Sequence, residues 1–249
     1  MTELQRRTGR VRQAKAIPSE PLPIASAIIV AAGHSSRMAG RNKLFLDLAG
    51  RPLLRHTLAA FEACPAINHI MLVLSLEAAE PGLQLLQEAG FHKVDGTCLG
   101  GETRQESVYA GLQALRACEW VVVHDAARPL VTPELIEAGI AAAQQTGAAT
   151  AGQPIVDTLK EADSDGSILW TVPRERLWAV QTPQVFRFEL LLSAHEQQHL
   201  QATDDAGMVE HLGIRVRLYQ GSPQNLKVTS PEDVALAEAL LRLRRAGSE

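Results

Sequence analysis

No apolar run in this 249-residue chain approaches the roughly 20 residues that cross a bilayer, so no membrane span is expected. Cysteine is scarce: Cys64, Cys98 and Cys118 are scattered and odd in number, with neither metal-ligand spacing nor a disulfide framework. A reducing, cytoplasmic setting is the expectation. H-E-x-x-H, a Ser-His-Asp arrangement and a cysteine cluster are all missing, which leaves hydrolase and zinc chemistry without support. Neither G-x-x-x-x-G-K-[ST] nor G-x-G-x-x-G occurs, so the P-loop and dinucleotide fingerprints do not apply. An overall excess of positive charge is also lacking, and the formal net charge of −4 argues against nucleic acid as a bulk partner.

The one basic stretch is residues 1–24, where Arg6, Arg7, Arg10, Arg12 and Lys15 outnumber Glu3 and Glu20. It ends in a proline-rich run and has no apolar h-region, so it reads as a disordered basic tail rather than a signal peptide. The remainder, 25–245, has the length and composition of a single large α/β domain. Short apolar runs at 27–31, 70–74, 121–123 and 148–152 read as buried strands. Between them, 52–64, 77–89, 103–118 and 132–146 carry apolar residues at helical spacing. This alternation predicts a doubly wound, mostly parallel sheet. Such sheets bind ligands beyond the carboxyl ends of their strands, so Gly33 and Asp125 are expected on one rim.

The rhythm breaks over 154–181, where the turn Asp163-Ser164-Asp165-Gly166-Ser167 separates two strand-like runs, 155–160 and 168–172. This predicts a β-hairpin too thin and too polar to stand alone, hence an arm that packs on a partner subunit. A helix over 188–199, a helix start at Thr203-Asp204-Asp205, a strand over 214–219 and a helix over 231–245 follow.

The first strand ends in Ala31-Ala32-Gly33-His34-Ser35-Ser36-Arg37, with Lys43 six positions beyond Arg37. A turn of small residues lets backbone N–H groups approach phosphate oxygens, and the two cations can neutralise a triphosphate. An ordinary strand-to-loop turn with solvated cations is the local alternative. Gly100-Gly101-Glu102-Thr103-Arg104 opens a helix whose first N–H groups favour acceptors, and its glycines allow a flat base to come close. Asp125 and Arg128 follow a Val-Val-Val strand, where a carboxylate suits a metal or hydroxyl and a guanidinium suits phosphate. His124, adjoining that apolar strand, reads as a structural histidine. Trp170, Trp178, Phe186 and Phe188 read as core or interface. The run 225–228 looks strand-like ahead of a capped helix.

Singly these signals are weak; their order is specific. The series AAGHSSRM…RNK, GGETRQES, HDAARP, DT, TV-x-R, QTPQ, TDDA and NLKVT-x-PED resembles the 2-C-methyl-D-erythritol 4-phosphate cytidylyltransferases over about 26–241. The resemblance implies transfer of CMP from CTP to the alcohol phosphate, Mg²⁺ as cofactor, and a homodimer whose β-arm reaches the partner's site. It implies that Ala31, Ala32 and Gly33 lie under CTP, with Arg37 and Lys43 on its phosphates. It places Gly101, Glu102 and Ser107 on cytosine, with Arg104 at the rim of that pocket. It sets Asp125 between the nucleotide and the sugar phosphate, where it is also the candidate metal ligand. Thr158 and Arg174 come from the partner's arm, and Thr182, Thr203 and Lys227 complete the sugar-phosphate pocket, with Arg128 as a further phosphate contact. Ser35, the spacing Asn42-Lys43-Leu44 and Glu102 depart from the common pattern and leave every cation in place. A cytidylyltransferase for another polyol phosphate, such as ribitol 5-phosphate, would share most of these motifs. A non-catalytic nucleotide sensor would not need Arg174 and Lys227.

Overall fold

The strand β1 (Ala25–Ala31) is built of small and branched apolar residues, and all but Val30 are buried. The computed structural model describes residues 25–33, 42–197 and 202–246, so the basic tail and Arg37 lie outside the described residues. After β1 come a short antiparallel pair, β2 (Asp47–Leu48) and β3 (Arg51–Pro52), then α1 (Leu53–Ala63), β4 (His69–Leu74) and α2 (Leu76–Ala89). The chain continues through β5 (Val94–Leu99), α3 (Arg104–Ala114), β6 (Trp120–Asp125), α4 (Pro133–Thr146) and β7 (Ala148–Pro154). A hairpin of β8 (Leu159–Ala162) and β9 (Ile168–Val172) precedes β10 (Trp178–Arg187), α5 (Phe188–Glu196), α6 (Asp205–Glu210), β11 (Arg217–Gln220) and α7 (Pro231–Ala246).

Seven strands form one sheet in the order β11-β7-β10-β6-β1-β4-β5. Every neighbouring pair is parallel except those of β10, which runs antiparallel to both β6 and β7. Alternate strand residues face opposite layers, as the pleat requires. Ala27, Ile29 and Ala31 meet Leu54, Phe61, Ala78, Ile136 and Ala237 from α1, α2, α4 and α7. Ile28 faces the other way, into the layer of Val108, Leu112, Leu191, Met208 and Val209 from α3, α5 and α6.

The doubly wound, mostly parallel sheet expected from the sequence is present, as are the strands β1, β4, β6 and β7 and the hairpin. Three readings need correction. The strand β5 was not expected, because its burial alternates along Val-Asp-Gly-Thr-Cys-Leu and no apolar run marks it. The stretch 178–187 carries no strand signal beyond the broken rhythm, yet β10 is the longest strand among the described residues and closes the middle of the sheet. Residues 225–228 are not a strand; the Val228 N–H donates to the Ala127 carbonyl (2.8 Å) and pins this segment as a loop.

Polar side chains of β10 tie neighbouring elements to the sheet. Gln184, 1% exposed, uses its whole amide: Nε2 donates to Thr150 Oγ1 (2.9 Å) and Asp204 Oδ2 (2.6 Å). Its Oε1 accepts from the N–H groups of Asp205 and Ala206, at 3.2 Å each. Gln184 thereby fixes the N-terminus of α6. Replacing it with Leu, of similar volume, strands these buried partners. Gln184→Leu is expected to lower the unfolding free energy by about 2–4 kcal/mol, read as a drop in the urea midpoint at constant slope. An unchanged midpoint would show that water or a rearranged α6 satisfies the same groups.

Candidate active site

Beyond the carboxyl ends of β1 and β6 lies a cavity of about 230 Å³. Its wall combines the turn 30–33, Lys43 and Leu44, residues 102–104, Ser107, Asp125, Ala127 and Lys227. Gly33 and Asp125 thus share one rim, as the topology predicts. Of the residues expected at the site, Ala31, Ala32, Gly33, Lys43, Glu102, Arg104, Ser107, Asp125 and Lys227 line the cavity.

Glycine is required at the second turn. A Cβ on Gly100 would fall 2.4 Å from Ala32 Cβ and 2.6 Å from Ser107 Oγ, so only glycine lets this turn lie against the end of β1. A Cβ on Gly101 would meet Glu106 Cβ at 2.4 Å. The helix α3 opens with a reciprocal cap: Thr103 Oγ1 accepts from the Glu106 N–H (3.1 Å) and Glu106 Oε2 accepts from the Thr103 N–H (3.1 Å). Glu106 Oε2 also accepts from the Glu102 N–H at 2.7 Å. The helix-start N–H groups expected to receive a ligand are thus partly occupied by Glu106. The pattern Thr-x-x-Glu was present in the sequence, and Glu106 is the residue that reading it would have added.

Asp125 is the hub. Its Oδ1 accepts from Arg104 Nε at 3.0 Å and its Oδ2 from Lys227 Nζ at 2.8 Å. Burial opposes the charge of Asp125, but Arg104 and Lys227 outweigh it and hold the carboxyl well below the usual carboxylate range. Arg104 Nη1 also donates to Asp205 Oδ2 at 2.7 Å. Burial disfavours the guanidinium's charge too, yet Asp205 and Asp125 raise it above its ordinary value. The sequence marks Asp205 only as part of a helix start; nothing local signals its pairing with Arg104, 101 residues away.

Beneath Asp125 lies a fully buried polar chain. Thr182 Oγ1 accepts from the Asp125 N–H (3.1 Å) and lies 3.1 Å from His124 Nδ1. His124 Nε2 lies 3.2 Å from the Arg128 carbonyl, which can only accept. The proton therefore sits on Nε2 and Nδ1 accepts from the Thr182 hydroxyl, so Thr182 and His124 each accept one hydrogen bond and donate the next along the chain. Burial pushes His124 down to about 3, so the ring is neutral at ordinary pH. The structural reading of His124 is borne out.

Lys43 Nζ donates to the Val228 carbonyl at 3.0 Å, beside Lys227. Arg128 does not line the cavity: Nη1 donates to the Asn225 carbonyl (2.7 Å), and burial lowers its pKa. Its guanidinium ties down the loop that carries Lys227. Thr182 lies below Asp125 rather than on the wall. Thr203 is exposed and outside the cavity wall. Thr158 and Arg174 stand exposed on the hairpin segment, away from this chain's cavity, with Arg174 Nη1 donating to the Val156 carbonyl. Arg37 lies outside the described residues.

Among the described residues no three His, Cys, Asp or Glu side chains gather into a metal cage. Asp125, the expected metal ligand, has one oxygen on each of two cations. No helix among them is long and apolar enough to cross a membrane.

The sequence profile of the family IspD, 2-C-methyl-D-erythritol 4-phosphate cytidylyltransferase, matches residues 25–243. A curated relative of that name from Dehalococcoides mccartyi (strain CBDB1) is 46% identical over 219 residues, covering 88% of this chain and 96% of its own. A bifunctional IspD/IspF enzyme from Desulforudis audaxviator is 47% identical over 225 residues, which span 86% of this chain and 56% of the relative. The crystal structure of a 2-C-methyl-D-erythritol 4-phosphate cytidylyltransferase from Thermus thermophilus superposes with a TM-score of 0.73 at 39% identity, covering 87% of this chain and 98% of that one.

The neutral, buried His124 makes stability depend on pH with a definite sign. An unfolded histidine takes up its proton near about 6.5, whereas folded His124 refuses it until about 3. Between those values the unfolded state binds more protons, so the unfolding free energy falls as pH drops. Asp125 and Asp205, both held low, keep their contributions above about pH 5 and lose them progressively below it, as their unfolded carboxylates take up protons, so the comparison is made from pH 6.5 to 4.5. Urea titrations of His124→Asn from pH 6.5 to 4.5 are expected to show a slope shallower by up to about 1.4 kcal/mol per pH unit. An unchanged slope would mean that folded His124 carries the proton.

Proposed function

The chain belongs to the 2-C-methyl-D-erythritol 4-phosphate cytidylyltransferases, nucleotidyltransferases of isoprenoid biosynthesis, and we propose how its residues divide the work. The enzyme transfers CMP from CTP to the alcohol phosphate, giving the CDP-linked alcohol and pyrophosphate. The observation that supports the site assignment is Asp125 held between Arg104 and Lys227 in the cavity lined by the turn 30–33 and the start of α3.

A phosphate monoester is largely ionised near neutral pH, with a second pKa of about 6, so the nucleophile needs no general base. An oxygen of the alcohol phosphate attacks the α-phosphorus in line, and pyrophosphate leaves. The protein's task is to bring two anions together and offset the charge that builds up. Lys43, with Arg37, serves the triphosphate; Lys227 serves the attacking phosphate. Residues 31–33 and Gly101, Glu102 and Ser107 cradle the nucleotide. Asp125 faces the sugar alcohol; Thr203, outside the cavity wall, is assigned to it on the family resemblance alone. Thr182 and Arg128 act from behind by holding Asp125 and the 225–228 loop. His124, buried and neutral, takes no part in proton transfer.

A Mg²⁺ accompanying the triphosphate would find its protein ligand in Asp125, whose carboxylate Arg104 and Lys227 hold ionised at the cavity wall. It would supply charge neutralisation on the phosphates. Cytoplasmic location is part of the same proposal and rests on the unpaired, mostly buried cysteines.

The active enzyme is proposed to be a homodimer. The hairpin of β8 and β9 forms a separate two-stranded sheet and exposes Val156, Ile168, Leu169 and Trp170, each at least half exposed. It also carries Thr158 and Arg174, which lie outside their own chain's cavity wall. A partner subunit would cover the apolar groups and receive the polar ones.

Mass-spectrometric detection of the CDP-linked product from CTP and the alcohol phosphate tests the reaction directly. Lys43→Ala is expected to lower turnover by about 10²–10³ with little change in melting temperature, because it removes a preorganised charge from the transition state. Near-normal turnover would remove Lys43 from the mechanism. Co-expressing Lys43→Ala with Arg174→Ala tests the shared site. Half the dimers are then mixed, each with one complete site, so activity should recover to about a quarter of the parent. Verified mixed dimers without recovery would reduce the arm to a structural clasp.

A further inference from the structure

Behind the cavity a line of alternating charge runs into the protein. Lys227 Nζ meets Asp125 Oδ2 at 2.8 Å, and Asp125 Oδ1 meets Arg104 Nε at 3.0 Å. Arg104 Nη1 meets Asp205 Oδ2 at 2.7 Å, and Asp205 Oδ1 meets His195 Nε2 at 3.1 Å. The inner end of the line is the buried one: Lys227 and Arg104 are 42% and 27% exposed and Asp125 11%, whereas Asp205 and His195 are 1% and 0% exposed. His195, on α5, does not line the cavity. A carboxylate only accepts, so His195 Nε2 carries a proton and donates it. Among the described residues its Nδ1 has no hydrogen-bond partner, so the ring is held by Asp205, and the Tyr109 ring stacks on it with 3° between the planes.

The geometry leaves Arg104 a competing choice. Its third nitrogen, Nη2, is buried and has no partner among the described residues, while Nη1 and Nε point to different carboxylates. A guanidinium binds a carboxylate best through two nitrogens at once. If Asp205 Oδ1 were released, Asp205 could turn and take Nη1 and Nη2 together. The rigid fork would follow, drawing Nε from Asp125 and shifting the carboxylate that holds Lys227. The bond from His195 to Oδ1 prevents that turn.

We propose that His195, acting through Asp205 and Arg104, is a positioning residue for Lys227 in the transfer reaction. The proposal rests on the assignment of Lys227 to the attacking phosphate. The test is steady-state kinetics on His195→Leu, His195→Gln, Lys227→Ala and the double variant His195→Leu/Lys227→Ala, with thermal melts of each. His195→Leu is expected to lower kcat/KM for the alcohol phosphate about three- to thirtyfold. His195→Gln, which keeps an N–H donor at similar reach, should stay within about twofold of the parent, and His195→Leu should add less than about twofold once Lys227 is already Ala. His195→Asn, whose amide is too short for Asp205, replaces the Leu variant if that one does not fold. A folded His195→Leu with parental kinetics, or an equal loss in both backgrounds, overturns the relay while leaving Lys227 in its role. A silent Lys227→Ala overturns the assignment, and the relay falls with it.

Discussion

The carboxylate of Asp125 must stay ionised in a place from which most water has been removed, and the site is arranged around that requirement. Alone, a buried carboxylate would neutralise itself by taking a proton. Arg104 and Lys227, one on each oxygen, prevent this. The same two bonds fix the cations, so Asp125 sets the spacing between the α3 side of the cavity and the loop side. Removing Arg104 would leave two buried carboxylates, Asp125 and Asp205, without the guanidinium they share, which costs far more than the group gains over an apolar substitute. Such a group specifies position more than it adds stability.

Strand β10 supplies the rigidity that this trio needs. It enters the sheet antiparallel, between β6 and β7, and so begins at the rim where the parallel strands end. Its first residues therefore lie beside the cavity. Gln181 holds the Ser222 carbonyl and N–H, at 3.0 and 3.3 Å, and so anchors the loop leading to Lys227. Thr182 receives the Asp125 N–H, and Gln184 anchors the start of α6, which carries Asp205. Three near neighbours in sequence thus hold three separate parts of the site. The hairpin of β8 and β9 leaves from the same rim, which suits the reach of an arm toward a neighbouring cavity.

Local features were legible because their physics is local. Apolar runs announce β1, β4, β6 and β7, and the small-residue turns around Gly33 and Gly100 mark places where backbone must come close to something else. Strand β5 escaped because its side chains alternate between half-buried and exposed and contain no run of branched apolar residues. The run 225–228 looked like a strand because Leu226 and Val228 are apolar. They meet the core from a loop held by the Ala127 carbonyl and Arg128.

From the sequence alone came the parallel rhythm, the rim on which Gly33 and Asp125 meet, the hairpin and the inventory of cations around an anionic ligand. Each depends on periodicity or on residues a few positions apart. Tertiary structure decided which partner each charged group takes. Arg104 could have met a phosphate, but it bridges Asp125 and Asp205; Arg128 could have lined the cavity, but it braces a loop. Those choices follow from distances across the fold, where a pair 101 residues apart lies within 2.7 Å. No local pattern encodes them, because burial and the competition among acceptors exist only once the chain has closed.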